Sequence, residues 1–144
     1  MRGQVGQRAF LIGIGAAFAL NLIWENAQAP LYQGHNDFFR FFWMCSVAAV
    51  GDVAIVAGIY LALALRYRDW TWYGVFSWNA AVLTMAAGAL IAIAVEWWAL
   101  DTGRWHYSDM PIVPVLNIGL LPLLQMLTIP LIVFWLMRVI ERSK

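Results

Sequence analysis

Four apolar runs divide the chain, and their spacing decides what it can fold into. Residues 9–28, 41–65, 74–98 and 112–138 are each close to or above the roughly 20 apolar residues that a helix needs to cross a bilayer. Short connections separate them. The pattern predicts an all-α, polytopic integral membrane protein: one four-transmembrane-helix bundle that takes up residues 1–144 as a single domain.

The polar interruptions of these runs are sparse and ordered. In helix one, Asn21, Glu25 and Gln28 follow at spacings of four and three and share one face near its second end. Gly13 and Ala17 lower down permit close helix contact. In helix two, Asp52 stands eleven residues beyond Phe41, or about 16 Å along the axis, near the middle of the bilayer. Such a carboxyl should face the bundle, either protonated or paired. Helix three repeats Ala80, Thr84, Gly88, Ala92 and Glu96 every four residues, a small-residue seam that ends in an acid. Helix four holds Asn117 and Gln125 among Pro111, Pro114, Gly119, Pro122 and Pro130. Interior prolines free carbonyls one turn earlier, near Ile118 and Met126. Glu25 and Glu96 end their helices at similar depth, so the two are expected to be neighbours.

Composition agrees with the pattern. A chain of 144 residues that is 63% hydrophobic and 12% charged, with mean hydropathy +0.71, lies outside soluble-domain usage. Its formal charge of +1 hides an asymmetry. Arg2, Arg8, Arg66, Arg68, Arg138, Arg142 and Lys144 fall on one side of the four runs, and only Arg40 and Arg104 on the other. By the positive-inside rule both termini and the loop 67–73 are cytoplasmic, and the loops 29–40 and 99–111 face out. Trp24, Trp43, Trp97, Trp98 and Trp105 then mark the outer interface, and Trp70, Trp72, Trp78 and Trp135 the inner one. A multi-pass protein of a bacterial inner or cytoplasmic membrane fits this reading. The N-terminal run imitates a signal peptide, with Ala27-Gln28-Ala29 as a cleavage site. The polar WENAQ stretch and the following Pro30 instead predict that it stays as a helix.

The same residues narrow the chemistry. Cys45 is the only cysteine, so no disulfide framework or CxxC site is available. His35 and His106 lie in outer loops, not at the depth of a haem ligand. No metal-ligand spacing, Walker or GxGxxG motif, or basic patch for nucleic acid appears, and no metal or cofactor is expected. What remains is a set of polar groups drawn from all four helices toward the outer half. Asp52, Glu96 and Glu25 are the candidate acid–base residues. Asn21, Asn117 and Gln125, with Arg104, Trp105, His106 and Tyr107 from the polar connection, are the candidate substrate-binding residues. Together they predict a pocket that opens outward or laterally.

The run from Asp101 to Tyr107, D-x-x-G-R-W-H-Y, followed by Pro114, Gly119 and LLPLLQ, resembles the closing part of small membrane lycopene cyclases over residues 101–125. Leucines and Gln125 stand where that family carries an acidic pair. The plan of four helices with short loops and buried acids is also similar to the sterol-isomerase-like EXPERA group. Both resemblances imply protonation of an alkene in a lipophilic substrate, by a carboxylic acid kept neutral in an apolar pocket and beside aromatic faces that steady a carbocation. The first reading is therefore binding of, or acid–base chemistry on, an isoprenoid- or lipid-like molecule. Two other classes fit the same residues: a proton-coupled exporter working as a homo-oligomer, and a non-catalytic subunit of a membrane complex.

Overall fold

The computed structural model describes residues 2–34 and 37–143, with side chains from residue 6 onward. His35, Lys144 and the Arg2 side chain, used above to read the loops and the charge bias, lie outside them. Four long helices account for most of the chain: α1 (Arg2–Gln28), α2 (Phe38–Tyr67), α3 (Trp78–Asp101) and α4 (Leu120–Arg142). All four are long and apolar enough to cross a membrane.

Local chemistry sets their ends. Asp37 caps α2 by accepting a hydrogen bond from the Arg40 N–H at 3.1 Å, and Ser77 caps α3 through the Ala80 N–H at 3.2 Å. These side chains satisfy donors that the first turn cannot use. Arg68, in the left-handed region at φ 53°, closes α2. The chain then turns through the 3-10 segment Trp72–Val75. That turn explains why α3 begins at Trp78 and not near residue 74.

The largest departure from the sequence reading is the start of helix four. Residues 112–119 are not helical. Ile112–Val113 (β1) and Ile118–Gly119 (β2) pair as a small antiparallel hairpin, with Ile112 opposite Gly119. Asn117 sits in its turn at φ 53°, a conformation that asparagine tolerates better than most residues. Pro114 cannot donate a backbone hydrogen bond. Hydropathy saw an apolar run here, but the backbone is extended and turned. Helix α4 therefore begins at Leu120, whose N–H donates to the Pro111 carbonyl at 2.7 Å.

Helix α1 packs against both α2 and α4, and α4 against α3, while the α2–α3 contact is lighter. The buried positions of α3 are Ala80, Thr84, Gly88, Ala92, Glu96 and Ala99, the four-residue seam. At Gly88 it meets the Met126 backbone of α4, one turn before Pro130. The apolar core gathers at one end of the bundle, around Tyr73, Trp72, Phe134, Val133 and Met137. The Trp72 and Phe134 rings meet edge to face at 5.1 Å. Polar groups collect at the other end.

Candidate functional site

Gln125 is the hub of the polar end. It sits one turn and a half into α4 and is 2% exposed. Its Nε2 donates to Asn21 Oδ1 at 2.9 Å, to Glu25 Oε1 at 3.0 Å and to Asp52 Oδ2 at 2.9 Å. One amide therefore ties α1, α2 and α4 together. Gln28, one turn beyond Glu25 on the same face of α1, adds its own Nε2, which donates to Glu25 Oε1 at 3.1 Å and to Gln125 Oε1 at 3.3 Å. The carboxyl groups of Glu25 and Asp52 are themselves within hydrogen-bonding reach of each other. No basic side chain among the described residues takes part. The described residues also bring together no group of three or more His, Cys, Asp or Glu side chains fit to hold a metal ion.

A second centre lies on α3. The Tyr107 hydroxyl donates to Glu96 Oε2 and accepts from the Gly119 N–H at 2.7 Å. Tyr107 thus joins the end of α3 to the hairpin that leads into α4. Burial, and then contact with Glu96, pushes the Tyr107 phenol above its ordinary range, so it stays a donor. The Trp105 indole N–H lies beside both groups, sealed from solvent, without the geometry of a conventional hydrogen bond.

Tyr32 stands between the two centres. The segment after α1 is stitched to the loop after α3: the Gln33 N–H donates to the His106 carbonyl at 3.0 Å, and the Ser108 N–H to the Leu31 carbonyl at 2.8 Å. This makes Tyr32 and Tyr107 a bridged pair with rings 5.7 Å apart, and Trp105 meets the Tyr32 ring edge-on at 6.3 Å. Burial, followed by the fields of Glu96, Glu25, Tyr107 and Asp52, raises the Tyr32 phenol as well. Tyr32 is therefore within electrostatic range of both carboxyl centres.

Of the residues singled out in the sequence, Asn21, Glu25, Asp52 and Gln125 form one cluster, and Glu96, Tyr107 and Trp105 the other. Glu25 shares the Gln125 amide with Asp52, while Glu96 lies within range of the Glu25 charge and takes its hydrogen bond from Tyr107. The reason is axial: Glu25 is three residues from the end of α1, Asp52 is fourteen residues after the start of α2, and yet both reach the same amide. Helix α2 therefore overhangs α1 by about eleven residues, or roughly 16 Å, and depth counted from its start misleads.

Three candidates fall outside the two clusters. Arg104 is exposed and lies over the Trp98 ring, 4.9 Å from its centroid. His106 is exposed and contributes a backbone carbonyl. Asn117 is exposed in the hairpin turn, not inside a helix. Two residues gain importance. Gln28 was legible from its spacing to Glu25 and Asn21. Tyr32 was not, because only the backbone bridge to Tyr107 brings it in. Comparison with protein-family models, with curated proteins and with solved structures finds no match.

Proposed function

We propose that the chain is a multi-pass membrane protein, with both termini and the 68–77 turn on the cytoplasmic side, that binds an isoprenoid- or lipid-like molecule under its outer loops and moves a proton on it. The observation that carries this reading is the Glu25–Asp52 contact, held by Gln125 among apolar helices with no basic side chain beside it among the described residues. Two carboxyl groups in contact cannot both ionise cheaply, and the natural resolution is one shared proton.

That proton is the acid of the reaction. Added to a carbon–carbon double bond, it forms a C–H bond with the π electron pair and leaves a carbocation on the neighbouring carbon. The faces of Tyr32, Trp105 and Tyr107 offer electron density to such a charge. Glu96, as carboxylate, is the base that removes a proton from an adjacent carbon, and those electrons rebuild a double bond. The step is an isomerisation or a ring closure, with no oxidant or reductant. All of these groups come from one chain, so the reading requires no second copy. The aromatic core around Trp72, Tyr73 and Phe134 fills the opposite end and favours this reading over an exporter, which needs access from both sides.

The test is to reconstitute the protein in vesicles with fractionated membrane lipids in D2O and to follow deuterium incorporation by mass spectrometry. The wild type should place deuterium on carbon in one lipophilic fraction, and Asp52→Asn, which keeps volume and hydrogen bonding but not the proton, should abolish it. If folded wild-type protein labels nothing, or Asp52→Asn labels equally well, the reading fails. Reporter fusions after Arg68 and at Ser108 check the orientation, and should read cytoplasmic and external.

A further inference from the structure

At the end of the bundle opposite the Gln125 cluster, the turn from α2 to α3 forms a cleft of about 290 Å³. It is lined by Tyr67, Asp69, Trp72, Val75, Ser77 and Ala80. Its size is near the lower end of the roughly 300–1,000 Å³ usual for small-molecule sites. Two of its walls carry polar atoms that the protein leaves unpaired. The Tyr67 hydroxyl and the Trp72 indole N–H are both buried, and neither has a hydrogen-bond partner. Their rings stack at 28° with centroids 6.1 Å apart. Trp72 is only 5% exposed, so solvent does not satisfy its N–H. Buried donors left in this state are costly, and each one asks for an explanation.

The other polar groups at the cleft define what would satisfy them. Ser77 Oγ accepts from the Ala80 N–H at 3.2 Å, which leaves its own hydrogen free to donate. Arg138 of α4 donates to the Phe76 carbonyl, between Val75 and Ser77, at 3.4 Å. Its other N–H groups take no partner among the described residues. Asp69 supplies the opposite sign: its Oδ1 accepts from the Thr71 N–H and hydroxyl, both at 2.8 Å, and its Oδ2 is left for a cation. A fitting ligand carries several acceptor oxygens on one small group and an N–H cation a few bonds away. A phosphate joined to a primary amine by a short chain has that form. The mouth of the cleft shows its source. Trp70, Val75 and Trp78 are exposed there, between two helices long and apolar enough to cross a membrane. Tryptophans at helix ends belong at the level of lipid headgroups.

We propose that this cleft binds the headgroup of phosphatidylethanolamine. The phosphate takes the hydrogens of Tyr67, Trp72, Ser77 and Arg138, the ammonium pairs with Asp69, and the acyl chains leave past Val75 and Trp78 into the bilayer. Both orphaned atoms are closed off as the walls stand, so the phosphate reaches them by turning aside Tyr67, the half-buried ring of the pair. The site is remote from the proton chemistry proposed above. It rests neither on that reaction nor on which side of the membrane the turn faces.

The experiment takes the whole protein in detergent micelles with equimolar dioleoyl phospholipids bearing ethanolamine, choline or glycerol headgroups. The lipid that stays bound is counted by native mass spectrometry. The ethanolamine lipid should be retained about tenfold over either of the others. The choline headgroup lacks the N–H groups that Asp69 would accept, and the glycerol headgroup brings a net negative charge beside the Asp69 carboxylate. Asp69→Asn keeps the Oδ1 acceptor of the turn and should level the three lipids. Tyr67→Phe removes only the orphaned hydroxyl. It should retain the ethanolamine lipid about tenfold less well, yet be no less stable than wild type in micelles without phospholipid, because no hydrogen bond is lost there. Glycerophosphoethanolamine, the same headgroup without chains, should not displace the lipid at equal concentration. The wild-type comparison decides the matter even if a variant fails to fold. Equal retention of the three lipids overturns the proposal and leaves the two donors to ordered water. An unchanged preference in Asp69→Asn, or displacement by the chainless headgroup, overturns it as well.

Discussion

Replacing Gly88 by alanine should separate α3 from α4. Pro130 has no N–H, so the Met126 carbonyl one turn earlier has lost its helical partner. That carbonyl points at Gly88. A Cβ on Gly88 would enter the van der Waals envelope of the Met126 carbonyl oxygen and stand 3.0 Å from its carbon. The obstacle is backbone, which cannot swing aside as a side chain does. Overpacking of this kind typically costs 1–3 kcal/mol, and a backbone clash belongs at about 3. Loss of a Cα–H···O contact adds about 0.5–1 kcal/mol, and the better helix propensity of alanine returns about 1 kcal/mol. The net is about 2–3 kcal/mol, or roughly 30- to 150-fold in the unfolding constant. Gly58 in α2 supplies the control, because a Cβ there meets nothing within 4 Å. Gly58→Ala should be neutral or gain up to about 1 kcal/mol. Reversible unfolding in mixed micelles, read by tryptophan fluorescence, measures both variants. If Gly88→Ala is no less stable than Gly58→Ala, the backbone contact between α3 and α4 is not there.

Three further outcomes are expected. Gln125→Leu removes the amide shared by Asn21, Glu25 and Asp52 and should cost about 2 kcal/mol in the same unfolding assay. Tyr107→Phe should destabilise the protein near neutral pH by leaving Glu96 and the Gly119 N–H without their partner. The folded protein holds the Tyr107 phenol above its ordinary 10.0, so its contribution is complete below pH 10 and lost as pH rises further; the variant should show a shallower alkaline decline, measured by unfolding between pH 8 and 11. In a Cys45→Ala background, Tyr32→Cys with Tyr107→Cys should form a disulfide on mild oxidation, seen as a gel shift. The bridge leaves this pair on the side-chain-close register, about 4.5 Å between Cα atoms.

The four helices could be read from the sequence because length and apolarity alone decide whether a helix of that kind can form. The four-residue seam of α3 was legible for a similar reason: its buried face is a property of one helix. The hairpin at 112–119 was not legible, since hydropathy counts apolar side chains and takes no account of where the backbone hydrogen bonds go. Asn117 was misjudged with it. The pairing of Glu25 with Asp52 depended on how far α2 overhangs α1, a relation between two helices that neither one's pattern contains. Tyr32 depended on two backbone hydrogen bonds between the segments that follow α1 and α3. Tertiary relations were thus the illegible part, and the candidate site is made mostly of them.

The amide at the centre of the cluster has one more consequence, for how the molecule is made. Gln125 lies 100 residues after Glu25 and 73 after Asp52. During synthesis the α1–α2 hairpin is complete long before the residue that joins its two acids to the rest of the bundle. Until α4 emerges, those carboxyls have only each other and Gln28. The hairpin cannot settle early as a finished subunit onto which later helices are added. A nascent chain stalled before residue 125 should remain bound to whatever shields its acids, and the last helix, instead of adding to a formed bundle, should release it.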